Sequence, residues 1–268
     1  MSSASRILPV PGALPNSAEA IRQRAAAGLI PWIGPLLLVS ARSVLWLTLQ
    51  SILALILFAL HRPAPLHTAG QWWPLYANLG DLGCLLGMRY LTRREGIRLR
   101  DLVGPIRLRW GRDLFLGLGL FILIFPFFIA GGYLPQVLLY GSPAKTPVAY
   151  LLQAHALPMW AIVYSLTVWW VIQSPTEEMT YQGYVLPRLE VLTGRTWIAY
   201  LIVAFWFAAQ HCMFPFVPDW KYLLYRFLAF LPGVLVVILV YMRIRRLAPL
   251  IVAHWPMDIA AAAMTAIF

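Results

Sequence analysis

Six ionisable side chains fall inside strongly apolar stretches of the 268-residue chain: Asp81, Glu177, Glu178, His211, His254 and Asp258. Their types suit proton transfer, because a desolvated carboxylate accepts a proton more readily than a hydrated one and an imidazole exchanges protons near neutrality. Such groups are costly at membrane depth, so each requires a partner or a function. Glu177 and Glu178 follow a Ser174-Pro175-Thr176 helix-start signal. Adjacent helical residues point about 100° apart, so one carboxylate is expected to face a cavity while the other holds a neighbouring helix. Phe207 lies one helical turn before His211 and covers the same face. His254 and Asp258 share that spacing, which stacks them on one face apart from any kink at Pro256 and lets the carboxylate orient the imidazole.

Each of these residues also has a structural reading. Asp81 sits in Asn78-Leu79-Gly80-Asp81-Leu82-Gly83-Cys84, among small residues that permit close packing, and reads as a hydrogen-bonded tie between helices. The glutamate pair could lie in a polar loop, and a histidine beneath an aromatic ring is commonly a structural hydrogen bonder. Arg42 and Arg226 are expected near span ends, reaching out to the interface. Glu177, His211 and His254 include ligand types that zinc accepts, but no HExxH is present and the three come from separate segments, so no metal and no cofactor is expected. Cys212 points about 100° away from His211 and is a poor nucleophile candidate.

The elements that carry these residues follow from composition. Hydrophobic residues make up 61% of the chain and charged ones 12%, against roughly 45–50% and 25% in soluble domains. The stretches Ser43 to Leu60, Leu114 to Ala144 and Thr146 to Thr176 carry no Asp, Glu, Lys or Arg, and about 20 apolar residues suffice to cross a bilayer as a helix. The expected fold is an all-α, polytopic transmembrane helical bundle. Its spans are expected near 36–60, 73–91, 114–139, 158–174, 196–214, 222–242 and 247–266, about seven in all. A polar segment, 1–35, precedes them and contains a short amphipathic piece from Ser17 to Leu29. It has no apolar core with a cleavage site, so it is expected to be retained.

Charge sets the expected direction of threading. Eight arginines occur between Arg89 and Arg112, and Arg243, Arg245 and Arg246 cluster between the sixth and seventh spans. Both loops should face the cytoplasm, and the four spans between them satisfy that parity with the N-terminus inside. Basic residues confined to such loops point to anionic lipid, and not to nucleic acid, as the partner of the net charge of +11. Trp72, Trp73, Trp110, Trp160 and Trp197 are expected at the membrane interface. Cys84 and Cys212 lie in apolar segments and read as core residues. Arginine outnumbers lysine nineteen to two, which hints at a GC-rich coding sequence and a bacterial inner membrane.

Three pieces, taken in order, resemble the motifs of the CPBP family, the CAAX-prenyl-endopeptidase-like or Abi intramembrane glutamic proteases. Glu177-Glu178-Met179-Thr180-Tyr181-Gln182 is similar to EExxxR, Phe207 to His211 to FxxxH, and His254 to Asp258 to HxxxN or HxxxD. The resemblance covers Leu151 to the C-terminus, leaving 36–150 as N-terminal helices without a motif and 151–268 as a catalytic core. It implies an endopeptidase acting on a membrane-associated protein or peptide, with Glu177 and His211 activating water and His254 stabilising the oxyanion. An ionised Asp258 cannot donate to that oxyanion, so it would fix the tautomer of His254 and favour its cation. Glu178 would be supporting.

Gln182 departs from the family pattern, since a glutamine hydrogen-bonds but cannot neutralise an acidic pair. That departure is what favours a rival reading, a non-catalytic immunity or scaffold protein with the same fold. The resemblance also makes a demand on the fourth span. If it ended at Ser174, His211 would lie about 20 Å deeper than Glu177 and the two could not meet. The helix must therefore continue through Pro175 to about Leu192.

Overall fold

The computed structural model describes residues 14–104, 109–142 and 157–267. The first thirteen residues, Arg107 in the arginine-rich loop and the segment 143–156 lie outside the described residues, along with the expectations that fall on them. Among the described residues the chain is all helical, with no strand. Short helix α1 (Ala18–Ala26) is N-capped by Ser17, whose hydroxyl accepts from the Ala20 amide, and realises the expected amphipathic piece. Long helices follow as α2 (Ile33–Ala59), α4 (Trp73–Arg94) and α5 (Trp110–Tyr140), with the short α3 (Pro65–Gln71) between the first two. Helix α6 spans 159–193, α7 is Thr196–Ala209 with a tighter last turn at Gln210–Cys212, α8 is Trp220–Ile244 and α9 is Ala248–Ile267. Three of these, α2, α5 and α8, are long and apolar enough by composition alone to cross a membrane.

Helix α6 is where sequence and structure differ most. The span expected at 158–174 continues without a break to Thr193, through Pro175 and through two widened π-type turns at Ser165–Trp169 and Met179–Val185. Pro175 removes one hydrogen bond from the ladder, and neighbouring helices hold the helix together around it. This is the continuation that a meeting of Glu177 and His211 requires. Gly194 then adopts a left-handed conformation, φ +62°, and turns the chain back into α7.

The bundle closes around α6. Helix α9 packs along its first half, α2 and α4 along its middle, and α7 antiparallel to its second half, while α5 covers α8 and α9. Close approach of α5 depends on missing side chains. A Cβ at Gly131 would collide with the Ala229 carbonyl oxygen of α8, and one at Gly117 would lie 2.6 Å from Val252 of α9.

Both arginine-rich connections reach the same end of the bundle, as their expected parity requires. Arg246, after α8, pairs with Asp113 at the start of α5. Arg245 forms a two-pronged pair with Glu190 near the end of α6, at 2.5 and 2.9 Å. Arg188, fully buried, grips Glu95 at 2.8 and 2.6 Å, and Arg24 of α1 approaches the same carboxylate at 3.3 Å. Trp110, Trp160 and Trp197 are exposed at helix starts, whereas Trp73 is buried edge-on against Trp169 and Phe214. Trp73 therefore belongs to the core and not to an interfacial belt, because α6 and the 210–216 turn cover it. Cys84 and Cys212 are buried and free.

The packing of α5 yields a paired expectation. Gly131→Val should wedge α5 from α8 and destabilise the protein by about 1–3 kcal/mol. Gly132→Val, where an added Cβ meets nothing within 4 Å, should leave the unfolding midpoint in detergent close to the parent's.

Candidate active site

The hairpin of α6 and α7 sets the depth of the site. Glu177 and His211 each stand 17 residues from Gly194, about 25 Å along antiparallel helices, and so come to the same level. One turn nearer the hairpin, Tyr181 stacks on Phe207 at 4.6 Å between ring centroids and locks the register of the two helices.

Four carboxylates and a histidine meet at that level. His254 of α9 donates from Nδ1 to Glu178 Oε1 at 3.1 Å. Its Nε2 lies 3.6 Å from both Glu177 Oε1 and Asp258 Oδ1. Asp258 is held by the Ser174 hydroxyl, which donates to Oδ2 at 2.6 Å. Glu177 Oε2 accepts from Gln173 and from Arg42 of α2, both at 3.1 Å. Arg42 also pairs with Asp81 of α4 at 2.7 Å and donates from Nε to Gln210 Oε1 at 2.8 Å, while its plane lies 4.5 Å over Trp46.

Four expectations change here. Both glutamates reach His254, although neighbouring positions on a regular helix diverge. Their long side chains approach the ring from two sides, at the point where α6 begins its second widened turn. The hydrogen bond that fixes the His254 tautomer comes from Glu178, and Asp258, at 3.6 Å, stays beyond hydrogen-bond length. Asp81 does tie helices, but through an ion pair with Arg42. Neither Arg42 nor Arg226 reaches the interface, because each finds acceptors within the bundle: Arg42 is wholly buried, and Arg226 donates to the carbonyls of His211 and Phe214 at 2.9 and 2.7 Å.

His211 is brought to the level of the cluster without touching it. Its Nδ1 donates to the Phe207 carbonyl at 2.9 Å, which makes Nε2 the basic nitrogen of the neutral ring. The ring stacks on Phe230 of α8 at 3.6 Å, closer than on Phe207 at 6.2 Å. It joins Glu177 through its neighbour Gln210 and Arg42. Gln182 is fully buried, and neither of its amide atoms has a hydrogen-bond partner.

Sequence reasoning missed Arg42, Gln173, Ser174, Tyr181, Gln210 and Phe230 as parts of the site. Gln173, Ser174 and Tyr181 lie one turn from the glutamates on the same helix, so helical spacing could have found them. Nothing local marked Arg42 except that a lone arginine interrupts an apolar helix. Among the described residues no three His, Cys, Asp or Glu side chains are arranged to hold a metal ion.

The fold and site define an apolar helical bundle in which buried carboxylates gather around one histidine. Residues 158–260 match a family described as Rce1-like, the type II CAAX prenyl endopeptidases, and carry the domain that the three motifs resembled. No curated protein and no solved structure matches the chain.

The turn that carries His211 depends on the Arg226 fork. Arg226→Ala should lower stability by about 1.5–3 kcal/mol per charged hydrogen bond lost. Arg226→Lys should recover only part of that in thermal unfolding, because one ammonium does not reproduce the fork.

Proposed function

We propose that the protein is an intramembrane endopeptidase that hydrolyses a peptide bond of a membrane-associated protein or peptide. The observation that carries this reading is the asymmetry of Glu177. Its Oε2 is tied by Arg42 and Gln173, while Oε1 accepts no hydrogen bond from the protein and faces His254 Nε2 at 3.6 Å.

In this mechanism Oε1 accepts the proton of an attacking water, whose oxygen forms the new bond to the substrate carbonyl. His211, with Nε2 as its basic nitrogen, serves as the second proton-transfer group at the same depth. His254 acts as an imidazolium, with Glu178 on Nδ1 and the charges of Glu177 and Asp258 flanking Nε2. Its Nε2–H points at no bonded acceptor and is free to donate to the developing oxyanion. Collapse of the tetrahedral intermediate breaks the C–N bond, and the proton held by Glu177 passes to the leaving amine.

Membrane threading belongs to the same proposal. Seven spans, α2 and α4 to α9, place both arginine-rich connections on the cytoplasmic side of a bacterial inner membrane, where they meet anionic lipid. At that end the helices line a cavity of about 870 Å³ whose wall includes Pro187, Glu190, Tyr241, Arg245 and Leu247. Leu247 packs against Gly183, in the α6 turn that follows the glutamates, so the cavity approaches the site from the arginine-bearing end.

The rival reading, a non-catalytic protein of the same fold, draws on the unpaired Gln182. The two separate on one comparison of protein termini in membranes from cells expressing parent or variant chains. Glu177→Gln should lose the parent's new termini by a factor on the order of 100–10,000, the range for removing a general base. His254→Ala should lose them on the order of 100–1,000-fold, as for an oxyanion donor. Identical termini from parent and Glu177→Gln would leave the non-catalytic reading standing.

A further inference from the structure

The domain that matches the endopeptidase family supplies Glu177 but not the cation that holds it. Arg42 and Asp81 both lie before residue 158, on α2 and α4. Within α6, Gln182 stands at the position of the motif's arginine, and its amide has no hydrogen-bond partner among the described residues. The other deeply buried arginines are committed elsewhere. Arg188 and Arg24 are paired with Glu95, and Arg226 is bound to the carbonyls of His211 and Phe214. Among the described residues, Arg42 is the guanidinium that touches a carboxylate of the site.

We infer that Arg42 is the positioning residue of the Glu177 base, supplying from α2 the guanidinium that position 182 of α6 lacks, so that α2 and α4 are working parts of the active site. The inference rests on the endopeptidase reading. Each nitrogen of the guanidinium engages a different partner, with Nε on Gln210, Nη1 on Asp81 and Nη2 on Glu177 Oε2. Asp81 and Gln210 thereby fix the fork from two sides, and Trp46 fixes its plane. With Oε2 engaged by two donors, the carboxylate has one rotational setting, and that setting turns Oε1 toward His254. A carboxylate freed from the fork would spend most of its time in settings that do not meet the reacting carbonyl. Lysine cannot substitute, because one ammonium cannot serve three acceptors held in a plane.

Removing Arg42 alone strands two buried carboxylates and threatens folding, so the test uses Arg42→Gln combined with Asp81→Asn, which deletes one cation and one anion together. The substrate is a reporter peptide built on a cleavage site whose product depends on Glu177 in the terminus comparison. The double variant should fold, with an unfolding midpoint near the parent's. Its kcat should fall by about tenfold or more at a KM changed by less than about twofold, the pattern for an interaction that serves the transition state. Arg42→Lys should recover part of the midpoint but little of kcat.

A folded double variant that cleaves with the parent's kcat overturns the inference and leaves the endopeptidase reading intact. So does a loss of rate that follows the loss of folded protein, or one carried by KM alone. If the parent yields no Glu177-dependent product, the endopeptidase reading fails first and the inference with it.

Discussion

A guanidinium with no surface open to water has to find its acceptors inside the protein, and the way Arg42 does so fixes the geometry of the site. Its partners come from three other helices: Asp81 from α4, Glu177 from α6 and Gln210 from the end of α7. Rotating or sliding α2 would leave a buried charge bare, at a cost of about 3–5 kcal/mol. The apolar faces of these helices are permissive about angle and register, because lipid tails compete equally for them. Polar contacts are not permissive. The Arg42 cluster, and the Arg188–Glu95–Arg24 cluster toward the arginine-bearing end, pin the bundle at two levels.

The second constraint is the uninterrupted run of α6. A helix carrying Pro175 and two widened turns is costly, and it persists here because the surrounding bundle compensates for it. The benefit is positional. Only a continuous helix ending at the Gly194 turn lets α7 return antiparallel and bring His211 to the depth of Glu177. Glu178 looks toward α9 while Glu177 keeps contact with both α2 and His254, and the widened turn at Met179–Val185 begins directly after them. Widened turns are frequent at functional sites.

Much of this was legible in the chain. Hydropathy located α2 and α4 to α9 to within a few residues at most boundaries, and three of them, α2, α5 and α8, are long and apolar enough to cross a membrane. The three short motifs marked Glu177 and His254, which the structure brings within 3.6 Å of each other, and His211, which it leaves apart from them; the depth argument foresaw the continuation of α6. What stayed hidden was long-range pairing. Arg42 is far from Glu177 in sequence, and its position near the start of α2 made interfacial exposure the ordinary expectation. The assignment of the His254 tautomer to Asp258 followed helical spacing, which is a good guide within one helix. Glu178 prevailed because it reaches Nδ1 from another helix at 3.1 Å while Asp258 stays 3.6 Å from Nε2, which spacing within α9 cannot reveal.

Gln182 takes on a different meaning once these contacts are known. Within its motif, a glutamine in place of an arginine removes a cation from an acidic pair and argues against chemistry. Within the bundle, the acidic pair has a cation already, bound on the side of Glu177 away from His254. A buried guanidinium at position 182 would have to be desolvated as well, at a cost that a neutral glutamine avoids. The cation that position 182 lacks is thus supplied to Glu177 from α2, so the glutamine does not by itself argue against chemistry.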